Sequence, residues 1–219
     1  MFHVDHTERT RTAAALVGAV AWASLAALLY LSMQDAGGGV GGVLAGVVDL
    51  LYYFTVLTNL GVALATTVPL VAPESVVGRF LRRAGTQTGI AASIAYVGAV
   101  YHLLLRRPWE SPSLAVLADA GVHYATPALF VAFWWYAVPK GSLEWRDVGW
   151  WCGYPAAYFV YVLLRGAASG DYPYPFLDAE ALGYAGVFAF GLGLLVAFAA
   201  TSLLFVAAGR FEARRSGEM

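Results

Sequence analysis

Charge is what this chain has least of. Only 12% of its 219 residues are Asp, Glu, Lys or Arg, about half the roughly 25% of a soluble domain. So little charge cannot cover a water-facing surface, and most of the chain must meet lipid or other apolar helices. The net charge is −1, which gives no electrostatic basis for a nucleic-acid partner. Cysteine is nearly missing too. Cys152 stands alone, which excludes an intramolecular disulfide and a zinc–thiolate cluster, and it reads as a small buried apolar residue. No lysine falls in any long apolar stretch, which argues against a retinal Schiff base. No internal repeat is visible, and the one low-complexity tract is the glycine run at 37–42.

Apolar residues are abundant, at 60% of the chain with 15% aromatics and a mean hydropathy of +0.65. They gather in six runs, 12–33, 42–72, 86–105, 114–138, 148–166 and 182–208. Each is long enough to cross a hydrocarbon core of about 30 Å, which takes roughly 20 helical residues. The runs are continuous instead of alternating, so they predict helices, not barrel strands. The expected fold is all-α, a polytopic integral membrane protein with a six-transmembrane-helix bundle as one domain over 1–219. The first run exceeds the roughly 7–15 residues of a signal-peptide core and has no small-x-small site after Leu31, so it reads as a membrane helix. The second is longer than a crossing needs; it either tilts or begins outside as the glycine-rich entry.

Arginine and lysine set the expected orientation. Ten lie at one end: Arg9, Arg11, Arg79, Arg82, Arg83, Lys140, Arg146, Arg210, Arg214 and Arg215. Three lie at the other: Arg106, Arg107 and Arg165. The bias predicts a multi-pass protein of the cell membrane with both termini in the cytoplasm. The outer segments carry Asp35, Glu110, Asp171, Asp178 and Glu180, while Trp134, Trp135, Trp145, Trp150 and Trp151 form an aromatic belt at the inner boundary. The outer loop 167–181 holds Pro173 and Pro175, which keep it from being helical, and its aromatics suit a lid.

Polar groups inside apolar helices are costly unless paired, so each needs a reason. The second run has Asp49, Thr55, Thr58 and Asn59, with Tyr52, Thr55 and Asn59 on one helical face. The third ends in Tyr101 and His102. The fourth carries Asp119 and His123 four apart, stacked on one face. The fifth presents Tyr154, Tyr158, Tyr161 and Arg165 as one stripe. At 1.5 Å per residue, Thr55 and His123 both lie about 15 Å from their outer ends, and Asp49, Asp119, His102 and Arg165 lie shallower. The expectation is a polar pocket in the outer half of the bundle. Each residue also has a plainer reading: threonines bond back to their own helix or join two helices, Asp119 orients His123, and Arg165 offsets Asp49 or snorkels outward. The tyrosine stripe reads as packing. A haem between His102 and His123, or a zinc held by both and an aspartate, lacks supporting spacing, so no cofactor is expected.

Three segments resemble the androgen-induced membrane-protein family, multipass hydrolases of fatty acid esters of hydroxy fatty acids, in its bacterial branch. They are Tyr53-Phe54-Thr55-Val56-Leu57-Thr58-Asn59-Leu60, then Asp119-Ala120-Gly121-Val122-His123 followed by Pro127, then Tyr174-Pro175-Phe176-Leu177-Asp178. The last is the most specific. The resemblance implies a threonine nucleophile and an essential histidine, which fall on Thr55 and His123, with Thr58 one turn away as the alternative nucleophile. His123 as base and Asp119 as its orienting partner fit that chemistry. Thr58 or Asn59 can stabilise an oxyanion; His102 or Arg165 can bind a substrate carboxylate, and Tyr158 belongs to the binding stripe. The expected activity is hydrolysis of a lipid ester in contact with membrane lipids. The alternatives are an acyltransferase with the same nucleophile and a non-catalytic transporter or lipid-binding protein, which a broken helix at the site would favour.

Overall fold

A computed structural model describes residues 3–106, 108 and 113–217, with side chains from residue 8 onward. The His3 and His6 side chains, and Arg107 and Glu110 entirely, lie outside the described residues. Among the described residues the fold is all-helical, without strands. The helices are α1 (His3–Asp35), α2 (Gly39–Leu50), α3 (Phe54–Val71), α4 (Val76–Leu81), α5 (Ala84–Val100), α6 (Leu114–Ala120), α7 (Thr126–Ala137), α8 (Asp147–Ser169) and α9 (Ala179–Ser216). A π turn, Tyr101–Leu105, extends α5, and another, Gly121–Ala125, joins α6 to α7.

Among the described residues five segments are long and apolar enough to cross a membrane: Glu8–Asp35, Phe54–Val71, Ala84–Leu105, Leu114–Ala137 and Ala179–Ser216. The expected fifth crossing, at 148–166, falls within α8, which has 23 residues but is not among them; its tyrosines and Arg165 dilute its apolar character. The expected second helix is corrected more deeply. Instead of one rod over 42–72 there are two helices separated at Leu51–Tyr53, and α2 alone is 12 residues. At 1.5 Å per residue α2 is about 18 Å long, too short to span by itself. Tyr52 therefore does not share a helix face with Thr55 and Asn59; it lies in the break.

The break survives because α8 supplies the lost hydrogen bonds. Backbone carbonyls freed by an interrupted helix must find donors when water is absent. The Arg165 guanidinium donates to the Val48 carbonyl at 2.9 Å, and the Tyr158 hydroxyl donates to the Tyr52 carbonyl at 2.9 Å. The Tyr52 hydroxyl in turn donates to the Asp171 carbonyl at 2.7 Å, tying the break to the 170–178 loop. The tyrosine stripe is thus a row of donors aimed at a discontinuous backbone.

The other end of the bundle is regular. Val62, Ile94, Phe130, Trp134 and Phe198 are fully buried there and toward the middle. The Trp134 indole donates to Thr88 Oγ1 at 2.9 Å. Lys140 folds back over the end of α7, its ammonium donating to the Trp134, Trp135 and Val138 carbonyls at 3.1, 2.8 and 2.6 Å. The helix C-terminus leaves the Trp135 and Val138 carbonyls without amide partners, while the Trp134 carbonyl also accepts from the Val138 amide at 3.3 Å.

Candidate functional site

Thr55 is the second residue of α3, so the break makes it a helix-start residue instead of one ten residues inside a rod. The first in-register bond of α3 runs from the Leu57 amide to the Tyr53 carbonyl. The amides of Phe54, Thr55 and Val56 consequently have no helical carbonyl ahead of them, and Tyr53 gives no side-chain cap. This end of a helix dipole favours negative charge. The Tyr174 hydroxyl, from the 170–178 loop, lies beside Phe54, Thr55 and Tyr158; desolvation raises the Tyr174 pKa above its ordinary value, and these neighbours pull it the other way. It remains a neutral phenol at physiological pH.

His123 sits in the Gly121–Ala125 π turn. Such turns are rare and recur at functional sites; here the cause is local. Pro127 has no N–H to give to the carbonyls four and five residues back, which are those of His123 and Val122. Asn59 Nδ2 fills the gap by donating to the Val122 carbonyl at 3.1 Å and to the Thr55 carbonyl at 2.8 Å. One buried amide therefore holds the nucleophile candidate and the histidine turn at fixed separation. Close approach of the neighbouring helices needs glycine. A Cβ on Gly121 would lie 2.2 Å from Ser24 Oγ of α1, and one on Gly98 of α5 would lie 3.1 Å from the His123 carbonyl.

The side chains then form a chain. Thr55 Oγ1 is 3.2 Å from His123 Nε2. His123 Nδ1 is 2.9 Å from Asp119 Oδ1 and 3.0 Å from the Asp119 carbonyl. A carbonyl oxygen can only accept, so Nδ1 must carry the proton. In the neutral ring Nε2 is then bare and accepts from the Thr55 hydroxyl. The Tyr101 hydroxyl donates to the other Asp119 oxygen. Its ring stacks on His123 with centroids 3.8 Å apart and an 11° interplanar angle. Asp119, His123 and Thr55 line a cavity of about 770 Å³ with Asp49, Tyr52 and Asp171.

The other expected site residues divide. Thr58 turns away from His123: its hydroxyl donates to the Phe54 carbonyl at 2.8 Å and lies 2.8 Å from the Tyr154 hydroxyl. Asn59 positions backbone and does not line the cavity. Tyr158 holds the break from the apolar side. Arg165 pairs with Asp49 at 3.3 Å and stacks over Tyr52 at 4.0 Å, so it braces the cavity rim without lining it. His102 is a correction. It is exposed and its Nδ1 meets the Tyr124 hydroxyl at 3.2 Å, outside the cluster. Adjacent helical residues do not share a face, so Tyr101 pointing inward sends His102 outward. Tyr101, whose ring meets those of His123 and Tyr124, is the residue that joins the cluster, and spacing alone does not mark it. Among the described residues no group of three or more His, Cys, Asp or Glu side chains is placed to hold a metal ion.

Comparisons of the chain with protein-family models, curated proteins and solved structures found no match.

Proposed function

We propose that this is a membrane-embedded lipid-ester hydrolase that works through an acyl-threonine on Thr55. The observation that carries the reading is the Thr55–His123–Asp119 chain, with the tautomer fixed by a carbonyl that can only accept. In the proposed reaction Thr55 Oγ1 attacks the ester carbonyl carbon while His123 Nε2 takes its proton. The oxyanion develops at the start of α3, where the helix dipole and the neutral Tyr174 hydroxyl beside it favour negative charge. The tetrahedral intermediate collapses, and His123 returns the proton to the departing alkoxide. Water then attacks the acyl-threonine, His123 takes the water proton and gives it back to Thr55, and the carboxylic acid leaves. An acceptor alcohol in place of water would make the same site an acyltransferase.

Membrane insertion with six crossings, α8 included, and both termini cytoplasmic belongs to this proposal, supported by five apolar spans and the ten-to-three distribution of basic residues. The three segments that resemble the androgen-induced family contribute Thr55, His123 and Tyr174 to one cavity, which supports membership of that family. One observation favours the second reading, a transporter or lipid-binding protein. Helix α2/α3 is broken beside the site, as transporter helices are at their ligand sites.

Kinetics separate the two. Thr55→Ala and His123→Ala should each lower kcat for a long-chain ester by as much as about 10⁶-fold, and the double variant should be no worse. Thr55→Ser should keep partial activity because it keeps the hydroxyl. Full-rate turnover by Thr55→Ala, or graded additive losses of ligand affinity without turnover, contradicts the hydrolase and favours the binder.

A further inference from the structure

A second cavity, of about 350 Å³, adjoins the first at Thr55, Tyr101 and Tyr174 and runs between α5, α8 and α9. Its character is different. The polar cavity holds four carboxylates, Asp35, Asp49, Asp119 and Asp171, whereas this one is lined by no charged residue among those described. Val97 and Val100 of α5 form one wall and Leu195 of α9 another. Val160, Phe188 and Leu192 lie at its α8–α9 side and are 56%, 56% and 64% exposed. Water does not stabilise three such side chains on a rim, but hydrocarbon does. The mouth therefore faces the acyl region of a bilayer while the inner end stops at the candidate nucleophile.

We infer that this cavity is an acyl-chain site filled sideways from the membrane, and that the alcohol half of the ester occupies the polar cavity. The inference rests on the proposed nucleophile for its direction, since Thr55 at the partition is what puts the scissile carbonyl between two unlike arms. The occupant is one unbranched acyl chain. A volume of 350 Å³ is at the low end for a small-molecule site, and its charge-free lining offers nothing to a headgroup. The polar arm, ringed by acidic groups, repels a free carboxylate and suits a neutral hydroxyl-bearing or cationic leaving group. Chain length is then set by the apolar walls, Val97 and Leu195 among them, more than by the catalytic groups.

Two measurements test this, and their failures are distinct. In nanodiscs, a sixteen-carbon fatty acid bearing a terminal diazirine should crosslink on irradiation to the cavity walls of α5, α8 and α9, and unlabelled palmitate should suppress it. Val97→Phe and Leu195→Phe, which place a ring in the cavity, should each remove that labelling. Both variants should also lower the ratio of kcat/KM for a sixteen-carbon over a four-carbon ester by about tenfold or more, the size expected of lost methylene contacts in a tight pocket. Labelling of the cavity without turnover of any ester keeps the acyl site and overturns the hydrolase. Turnover with an unchanged chain-length ratio in both folded variants, or labelling spread over lipid-facing residues such as Leu16 and Val196 without competition, overturns the acyl site.

Discussion

The two ends of the bundle solve the same problem in opposite ways. Toward the basic end, four hydroxyls bond back to their own helix: Thr66 to Val62, Thr67 to Ala63, Thr88 to Ala84 and Ser93 to Gly89, each onto a carbonyl four residues earlier. The helices there stay regular. At the site end, polar groups reach across elements, from Thr55 to His123, Asn59 to Val122, Tyr158 to Tyr52 and Arg165 to Val48. The backbone they meet is broken or in π register. A hydroxyl that satisfies itself locally needs no special scaffold. One left available for chemistry requires irregular backbone nearby, and that backbone recruits donors from other helices.

The largest effect outside the Thr55–His123 pair should come from Asp119→Asn. The Asn amide can donate to Nδ1 and favour the wrong tautomer, and comparable changes in a serine triad cost about 10⁴-fold. The Asp119 carbonyl still accepts from Nδ1, so a loss of about 10²-fold to 10⁴-fold in kcat is expected, read on purified folded protein. A loss under twofold would mean that the carbonyl alone sets the tautomer.

Asn59→Leu comes next. It keeps the volume but strands the Val122 carbonyl, at a cost of about 1–3 kcal/mol in stability. It also frees the π turn, so kcat should fall along with the melting temperature. Lys140→Met, at the opposite end, should lose a similar stability through the stranded Trp135 and Val138 carbonyls. Its activity per folded molecule should match wild type. If Lys140→Met lowers kcat as much as Asn59→Leu does, the two ends are coupled and the contrast between them fails.

One part of the candidate site is legible in the sequence: Asp119 and His123 are four apart on one helix and meet as that spacing predicts. The depth expected for Thr55 assumed an unbroken helix, whereas Thr55 stands at the start of α3. The break at Leu51–Tyr53 could not be read that way, since no proline or glycine marks it. It is imposed by tertiary contacts from Arg165, Tyr158 and Asp171. The π turn before Pro127 was open to inference from the missing amide, but a proline alone permits a kink without naming its form. Spacing alone does not tell which of the adjacent Tyr101 and His102 turns inward; packing turns Tyr101 onto Asp119 and His123 and leaves His102 exposed.

Covalent trapping tests the central claim most directly. The purified protein is treated with a long-chain fluorophosphonate, digested, and its peptides mapped by mass spectrometry. The account predicts one adduct, on Thr55, absent from Thr55→Ala and strongly slowed in His123→Ala. An adduct on Thr58 would contradict the assigned nucleophile, and no adduct on any residue of a preparation that still binds the probe would contradict the enzyme itself.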